Sequence, residues 1–195
     1  MDVYAVLRGR RSVSELDGRT PSQPVIQRLL QAAVWAPNHH RTEPWRFAVI
    51  AGPARQAMGE AVARSLETSL DASSPAVAGE IKSCRARLLR APVVIVVGQV
   101  VSADPVLALE DYAACCCATQ NLLLAAHAEG LAAKWRTGEM AEYDAAKTFV
   151  GLRPADRIVA YVYLGYPAAS VGPDDRTRPA PPIQWHGMDA ADGGT

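Results

Sequence analysis

The chain has 195 residues, of which 49% are hydrophobic and 21% are charged, and its 20 basic residues balance its 20 acidic residues. This length fits a single domain with a substantial core, and the zero net charge argues against a broad basic surface for nucleic acid. The longest purely apolar stretches, such as residues 91–98, are far shorter than the roughly 20 residues that a membrane span needs. An early acid and the absence of an apolar run before Arg8 predict no secretion signal. We therefore expect a cytoplasmic protein with no nucleic-acid partner and no membrane partner.

The first half of the chain predicts helices with one strand between them. Asp2 is suited to cap the first helix, while the second helix begins at Thr20 or Ser22 and is stopped by Pro37. Residues 68–79 are rich in serine and alanine and have no convincing period, so we expect an irregular or mobile segment there. Predicted helices over residues 3–8, 53–66 and 80–89 and a predicted strand over residues 46–50 complete this half.

The second half predicts a buried strand followed by a very apolar helix. Val93–Val97 is a continuous β-branched run without polar alternation, so it predicts a central strand that is buried on both faces. A long helix begins at Asp104-Pro105 and ends near Glu129, with Gly130 as its cap. Between residues 112 and 128 it is apolar almost all round, which indicates burial on every side, and contact with a second subunit is one explanation. Further strands are predicted over residues 131–135 and 157–164, with a helix over 142–150 between them.

This order of elements predicts an α+β fold. Helices and strands are mixed, with too few β-α-β units for a doubly wound sheet. We expect one domain over residues 1–167. Residues 168–195 contain many prolines, glycines and acids without a period, and they predict either an arm that wraps a partner or a disordered tail.

Arg10-Arg11-Ser12 directly follows the predicted end of the first helix. Two guanidinium groups and a hydroxyl suit a phosphate, because arginine grips phosphate oxygens with parallel charge-assisted hydrogen bonds. The alternative is a solvated basic patch, which is favourable at a helix carboxyl end in any case.

Two further segments carry tryptophan together with histidine or arginine. Residues 36–40 (Ala-Pro-Asn-His-His) end the second helix and lead into residues 44–47 (Pro-Trp-Arg-Phe). A ring nitrogen of His39 or His40 suits the polar edge of a planar heterocycle, and the alternative is an ordinary surface histidine. Residues 134–138 (Lys-Trp-Arg-Thr-Gly) lie at the end of a predicted strand. They form either a ligand-binding edge or an ordinary exit from the strand into a loop. Together the segments predict a site for a ligand with an anionic end and a flat aromatic end, such as flavin mononucleotide (FMN).

No metal site and no catalytic side chain are predicted. The run Cys115–Cys117 points in directions about 100° apart on a helix and cannot converge on one ion. His39 and His40 are adjacent, sequence neighbours rarely bind one ion, and no third ligand stands nearby in the sequence. The chain contains no Gly-x-Ser-x-Gly elbow, Gly-x-Gly-x-x-Gly fingerprint or Walker loop.

These segments, in this order, resemble the nitroreductase family of flavoproteins, in particular its short YdjA-type bacterial members. The resemblance runs from about Asp2 to Pro167, and residues 163–167 (Tyr-Leu-Gly-Tyr-Pro) add to it by closing the last core strand. It implies a central, mostly antiparallel sheet flanked by helices, an intertwined homodimer, and two FMN sites at the subunit interface.

The resemblance also implies roles for particular residues. Trp35 and His39 are expected to reach the flavin from the partner subunit. Relatives tend to have arginine in place of Trp35 and glutamine in place of Glu43, so these departures bear on one cofactor contact and on substrate preference. The phosphate and ribityl side of FMN is expected to be held by residues of one subunit, namely Arg10, Arg11, Ser12, Trp135, Arg136, Thr137 and Gly138.

The implied activity is a ping-pong hydride transfer from NAD(P)H through FMN to a nitroaromatic, a quinone or a similar small-molecule acceptor. In this chemistry no side chain need act as acid or base. Two alternatives stay open. One is a family member with different flavin chemistry, such as dehalogenation or flavin destruction, for which a lid would lie in residues 68–79. The other is a non-catalytic FMN-binding dimer.

Overall fold

A computed structural model of the chain describes residues 2–71, 73–172 and 177–187. Three single-turn 3-10 helices accompany the main elements, at His39–Arg41, Leu88–Arg90 and Glu139–Ala141. The strands are β1 (Trp45–Ala51), β2 (Val93–Gln99), β3 (Ala132–Arg136) and β4 (Arg157–Gly165). The helices are α1 (Val3–Gly9), α2 (Gln23–Ala33), α3 (Pro53–Ser69), α4 (Pro75–Arg87), α5 (Pro105–Ala128) and α6 (Asp144–Phe149).

The four strands form one sheet in the order β1-β2-β4-β3, and every neighbouring pair is antiparallel. The two central strands are buried along nearly their whole length. The predicted α+β fold, with an antiparallel sheet flanked by helices, is therefore confirmed, as is the central position of Val93–Val97.

Helices cover both faces of the sheet, and the residues of β2 alternate between the two cores. Val93, Ile95 and Val97 face a core that includes apolar residues of α2 and α5. Val94 and Val96 face the opposite core, which includes apolar residues of α3 and α4. Because successive side chains of a strand point to opposite faces, a run of valine and isoleucine supplies both cores at once.

The caps of α1 and α5 confirm the positions at which these two helices were predicted to begin. The Asp2 carboxylate accepts a hydrogen bond from the Ala5 backbone nitrogen at 3.2 Å, which opens α1. The Asp104 carboxylate accepts from the backbone nitrogens of Val106 and Leu107 at 2.8 and 3.2 Å, which opens α5. Each carboxylate satisfies amides that the first turn leaves without a helical acceptor.

The prediction of an irregular segment over residues 68–79 is wrong for most of its length. α3 continues to Ser69 and α4 begins at Pro75, so the helices leave only residues 70–74 between them. α4 buries only Ile81 and Cys84, which is why its apolar period is weak in the sequence. The two helices pack closely at Gly59, which has no side chain. A Cβ atom there would lie 2.7 Å from the Cys84 carbonyl oxygen, so only glycine leaves enough space for this contact.

The first residues after β4 return along the segment that precedes α2. Pro167 forms an antiparallel bridge with Leu16, and the Ala168 backbone nitrogen donates to the Glu15 carbonyl oxygen at 3.0 Å. Residues 177–187 are exposed and contain no helix or strand. The rest of the predicted arm or tail, residues 173–176 and 188–195, lies outside the described residues. Among the helices of the described chain, none is long and apolar enough to cross a membrane.

Candidate functional site

The first and third predicted segments are neighbours in the structure. Ser12 forms a parallel bridge with Ala133 of β3, and the Val13 backbone nitrogen donates to the Ala133 carbonyl oxygen at 3.2 Å. The Lys134 ammonium group donates to the Ser14 hydroxyl at 2.8 Å. The Arg10-Arg11-Ser12 segment therefore lies along the free edge of β3, the strand that ends at Arg136.

Arg10 carries an unsatisfied donor in this region. Its Nε atom is buried and has no hydrogen-bond partner among the described residues. A buried guanidinium nitrogen without an acceptor is rare in native proteins, and a bound anion would supply one. Arg10 borders a pocket of about 370 Å³. The other lining residues come from α5, β3 and the segments beside them, and include Gly9, Arg11, Leu123, His127, Ala133 and Pro167.

Arg11 and Ser12 border a second hollow of about 400 Å³ on the same side of β3. The Arg11 Nη2 atom donates to the Gly172 carbonyl oxygen, and the Ser170 hydroxyl donates to the Glu15 carboxylate at 2.8 Å. Residues 170–172 thus form one wall of this hollow. Ser12 is exposed, so its hydroxyl is accessible to a ligand.

The four predicted residues at the end of β3 differ in their surroundings. The Trp135 indole nitrogen donates to the Val159 carbonyl oxygen at 3.2 Å, and its ring packs on the core, so this side chain supports the strand. The Arg136 guanidinium carbon lies 5.7 Å from the Tyr163 ring centre, within cation–π range. Thr137 and Gly138 are exposed. Gly138 has φ +125° and ψ −178°, a conformation open essentially to glycine alone, so the chain turns sharply here.

The second predicted segment lies at the other end of α5. His39 Nδ1 is 2.9 Å from Glu110 Oε2, and the His39 ring stacks on that of His40 with 3.9 Å between ring centres. Trp35, just after α2, is 85% exposed. His39 is not near Arg10 within this chain. Gly9 lies against His127 while His39 lies against Glu110, and α5 separates these contacts by about 25 Å at 1.5 Å per residue.

The loop that carries His39 is held by side-chain contacts of Asn38, Thr42 and Asp111, and only Asn38 belongs to a segment that the sequence singled out. The Asn38 Oδ1 atom accepts from the Glu43 backbone nitrogen at 2.7 Å, and its Nδ2 atom donates to the Thr42 hydroxyl at 2.9 Å. The Thr42 hydroxyl donates in turn to the carboxylate of Asp111, a residue that is 3% exposed. An acid inside an otherwise apolar helix was the visible signal for Asp111.

The same loop has an unusual backbone. His40, Arg41 and Glu43 have φ values of 58°, 52° and 45°, in the left-handed region that residues other than glycine seldom adopt. Arg46 adds support, because its Nη1 atom donates to the carbonyl oxygens of Glu43 and Trp45 at 3.2 and 2.8 Å. Such conformations persist only where surrounding contacts impose them, so this loop holds His39 and His40 in a defined arrangement.

The cysteines do not resemble activated nucleophiles. Burial raises the pKa of the Cys84 and Cys115 thiols to about 12. Burial also raises the pKa of the Cys116 thiol. These three thiols therefore stay protonated near neutral pH, and the thiolate is the reactive form.

Comparisons with known proteins agree with this architecture. The model of the Nitroreductase family matches residues 7–166. The chain is 32% identical over 168 residues to the Escherichia coli K12 protein named "Putative NAD(P)H nitroreductase YdjA", covering 86% of this chain and 89% of that one. It is 33% identical over 172 residues to the Haemophilus influenzae protein named "Putative NAD(P)H nitroreductase", covering 85% of this chain and 88% of that one.

Two solved structures illustrate the shared fold. A nitroreductase-like family protein from Bacillus cereus superimposes with a TM-score of 0.75 at 30% identity, covering 91% of this chain and 92% of that one. A nitroreductase with bound FMN from Bacteroides fragilis superimposes with a TM-score of 0.72 at 22% identity, covering 95% of this chain and 99% of that one.

Proposed function

This chain belongs to the nitroreductase family of oxidoreductases, and we propose that it transfers hydride from NAD(P)H, with FMN as cofactor, to a nitroaromatic, a quinone or a similar small acceptor. The observation that carries the proposal is the buried, unpartnered Nε atom of Arg10 beside Arg11 and Ser12. Two cations and a hydroxyl at one strand edge suit a phosphate group. The names of the Escherichia coli and Haemophilus influenzae relatives support NAD(P)H as the donor.

The residues present fit FMN in the chemistry of their donors. In the proposal, Arg10, Arg11 and Ser12 hold the phosphate, and Arg136 and Thr137 hold the phosphate or ribityl side from β3. Trp135 acts by supporting the strand, since its indole nitrogen is already bonded to Val159, and Gly138 permits the turn that follows. Bound FMN would supply the reversible uptake of a hydride. The side chains bind and orient it, and we assign none of them a role as acid, base or nucleophile.

The proposed site needs a second copy of the chain. One subunit holds its Arg10 segment about 25 Å from its own His39 loop along α5. In a two-fold dimer with antiparallel α5 helices, the amino end of one helix meets the carboxyl end of the other, so Trp35 and His39 of one copy approach Arg10 of its partner. The domain formed by residues 1–167 would thus contribute to two sites.

The outer face of α5 supports this arrangement. Val106 and Leu109 are 67% and 68% exposed, and apolar residues continue along the same face at helical spacing. The continuation consists of exposed or half-buried Ala113, Cys116, Cys117 and Leu124. A second subunit on this face would account for the almost wholly apolar composition of the helix.

The alternative with a flavin-covering lid has lost its main support. The segment expected to form that lid, residues 68–79, is mostly helical, and only residues 70–74 lie between α3 and α4. The alternative of a non-catalytic flavin-binding dimer differs from the proposal in one respect, which is whether NAD(P)H reduces the bound flavin.

A visible absorbance spectrum of the purified protein tests the proposal, recorded before and after anaerobic addition of NADPH and then of NADH. We expect flavin bands that bleach with at least one of the two donors. A sample incubated with excess FMN and then desalted controls for loss of cofactor during purification. Bands that do not bleach would favour the non-catalytic dimer, and a protein that takes up no FMN would refute the proposal.

A further inference from the structure

His39 meets a carboxylate of the neighbouring helix through one of its two ring nitrogens. Its Nδ1 atom lies 2.9 Å from Oε2 of Glu110, which belongs to α5. An ionised carboxylate accepts hydrogen bonds and does not donate them, so this contact requires a proton on Nδ1. In the neutral ring, Nε2 then carries the lone pair and acts as a hydrogen-bond acceptor.

We propose that Glu110 is a positioning residue of the flavin site, which fixes the tautomer and the orientation of His39 so that Nε2 presents an acceptor to the cofactor. An acceptor nitrogen suits an N–H group on the edge of the flavin ring, whereas the other tautomer would present a donor there. This inference rests on the proposed function, in which His39 approaches FMN held by the partner subunit. Glu110 acts only through His39.

The stack of the two imidazoles leaves the Nε2 edge of His39 open. The ring centres lie 3.9 Å apart with 21° between the ring planes, so His40 covers one face of the His39 ring. The Nε2 lone pair lies in the plane of its ring, where a stacked neighbour does not block it. The His39 side chain is 62% exposed in the single chain, and its Nε2 atom therefore stays accessible to a ligand brought by a second copy.

Glu110 comes from a helix that also holds the backbone of the His39 loop. The next residue of α5, Asp111, is buried and accepts a hydrogen bond from the Thr42 hydroxyl. Asn38, the residue before His39, donates to the same hydroxyl at 2.9 Å. The loop and the ring are thus fixed by adjacent residues of α5, and the ring cannot turn over without losing its contact with Glu110. This preorganisation lowers the entropy cost of ordering the site around a ligand.

Nitrogen NMR of the imidazole rings tests the tautomer, on full-length protein labelled with ¹⁵N-histidine at about pH 8.5, above the usual titration range of histidine. The chain has four histidines, and the spectrum of His39→Ala identifies the His39 signals. We expect a proton on Nδ1 and none on Nε2. In Glu110→Ala, the signals should shift towards the Nε2–H form that predominates in free histidine. A bare Nδ1 in the unaltered protein, or protons on both nitrogens, would overturn the proposal.

A cycle of FMN affinities separates positioning from a general structural role. Alanine is chosen at position 110 because it favours helix, so α5 stays folded. Fluorescence titration should show roughly two- to tenfold weaker FMN binding in Glu110→Ala. The same substitution should have no further effect in the His39→Ala background, because Glu110 then has no ring to position. An equal loss of affinity in both backgrounds would show that Glu110 acts independently of His39, which would overturn the proposal.

The matched control is Glu142→Ala, at an exposed glutamate elsewhere on the described chain. It should leave both the His39 nitrogen signals and the FMN affinity unchanged. The NMR measurement does not require flavin, so a protein that takes up no FMN would refute the proposed function and still report on the contact between Glu110 and His39. A protein that binds FMN but has a bare Nδ1 at His39 would overturn this inference alone.

Discussion

At its carboxyl end, α5 packs beside the segment that carries Arg10 and Arg11, whereas at its amino end it anchors the loop that carries His39. The first segment is aligned by backbone pairing between residues 12–13 and Ala133 of β3. The second is held by a chain of side-chain contacts from Asn38 through Thr42 to Asp111.

This difference explains which side chains remain available at each end. Backbone pairing does not use the side chains of the paired residues, so the Ser12 hydroxyl is left exposed and the Arg10 Nε atom is left without a protein partner among the described residues. Side-chain anchoring uses particular groups, and one of them is a buried carboxylate. The amino end of α5 should therefore be the more sensitive of the two to single substitutions.

A charge on the outer face of α5 gives the largest expected effect, because it tests whether the two ends meet across a dimer. Leu123, near the carboxyl end of the same helix, is only 4% exposed and belongs to the subunit core, so a charge there would unfold the chain. In Leu109→Glu, each new carboxylate would be buried in an apolar contact without a partner, at a cost of several kcal/mol. We expect a folded monomer without flavin, observed by light scattering with absorbance at flavin wavelengths.

The matched control is Leu70→Glu, which places the same charge on another half-exposed leucine, after α3. It should leave both the dimer and the flavin content unchanged. A yellow, active Leu109→Glu monomer would contradict the shared site.

Removing either arginine at the carboxyl end should give the next largest effect. Arg10→Ala or Arg136→Ala removes a charge-assisted contact worth about 1.5–3 kcal/mol, which corresponds to roughly a ten- to hundredfold weaker affinity for FMN. We expect a folded dimer that is largely free of cofactor, measured by fluorescence titration with FMN. Arg64→Ala, which removes an exposed ion pair with Glu60 on α3, should leave the affinity unchanged. Full FMN retention by both site variants would exclude the phosphate assignment.

Thr42→Val should loosen only the loop at the amino end of α5. It leaves the buried Asp111 carboxylate without the hydroxyl donor, which costs about 1–3 kcal/mol of folding free energy. Denaturant unfolding measures the loss, and hydrogen exchange should rise at residues 38–43 while residues 10–13 stay protected. Thr148→Val, at an exposed site on α6, is the control and should change neither. Equal loss of protection at both ends would show that the two anchors are not independent.

Acid should produce the smallest effect, through a buried carboxylate that contacts the segment just before α5. Asp156 is buried and accepts hydrogen bonds from Arg153 and from the Val101 backbone nitrogen just after β2. Hydrogen bonding from Arg153 lowers the pKa of the Asp156 carboxyl to about 2, from the ordinary value of 3.8. A lowered folded-state pKa stabilises the protein above pH 3.8, and this contribution is lost as the pH falls towards 2.

Asp156→Asn should therefore lose roughly 1–2 kcal/mol of stability at neutral pH, and its stability should vary less with pH between about 4 and 2. Thermal unfolding across this pH range measures both differences. Asp144→Asn, at an exposed carboxylate, should behave like the unaltered protein. An Asp156→Asn variant with unchanged acid sensitivity would show that other carboxylates control it.

Much of the fold was predictable because its elements are encoded locally. The run Val93–Val97 predicted a central strand, since burial on both faces leaves no polar position. Asp104 and Pro105 marked the start of α5 because capping depends on residues within one turn. α4 was placed too late because it buries only two apolar side chains and its stability depends on packing against α3.

The sequence by itself determined the family, the helices and strands, and the residue types that suit a phosphate and a flat heterocycle, because these depend on short patterns. Only the tertiary structure decided which of those residues meet. It paired Ser12 with Ala133, held Arg10 and His39 at opposite ends of α5, and brought Glu110 to a histidine 71 residues away. Such contacts are made by strand pairing and helix packing between distant segments, and no local period in the chain records them.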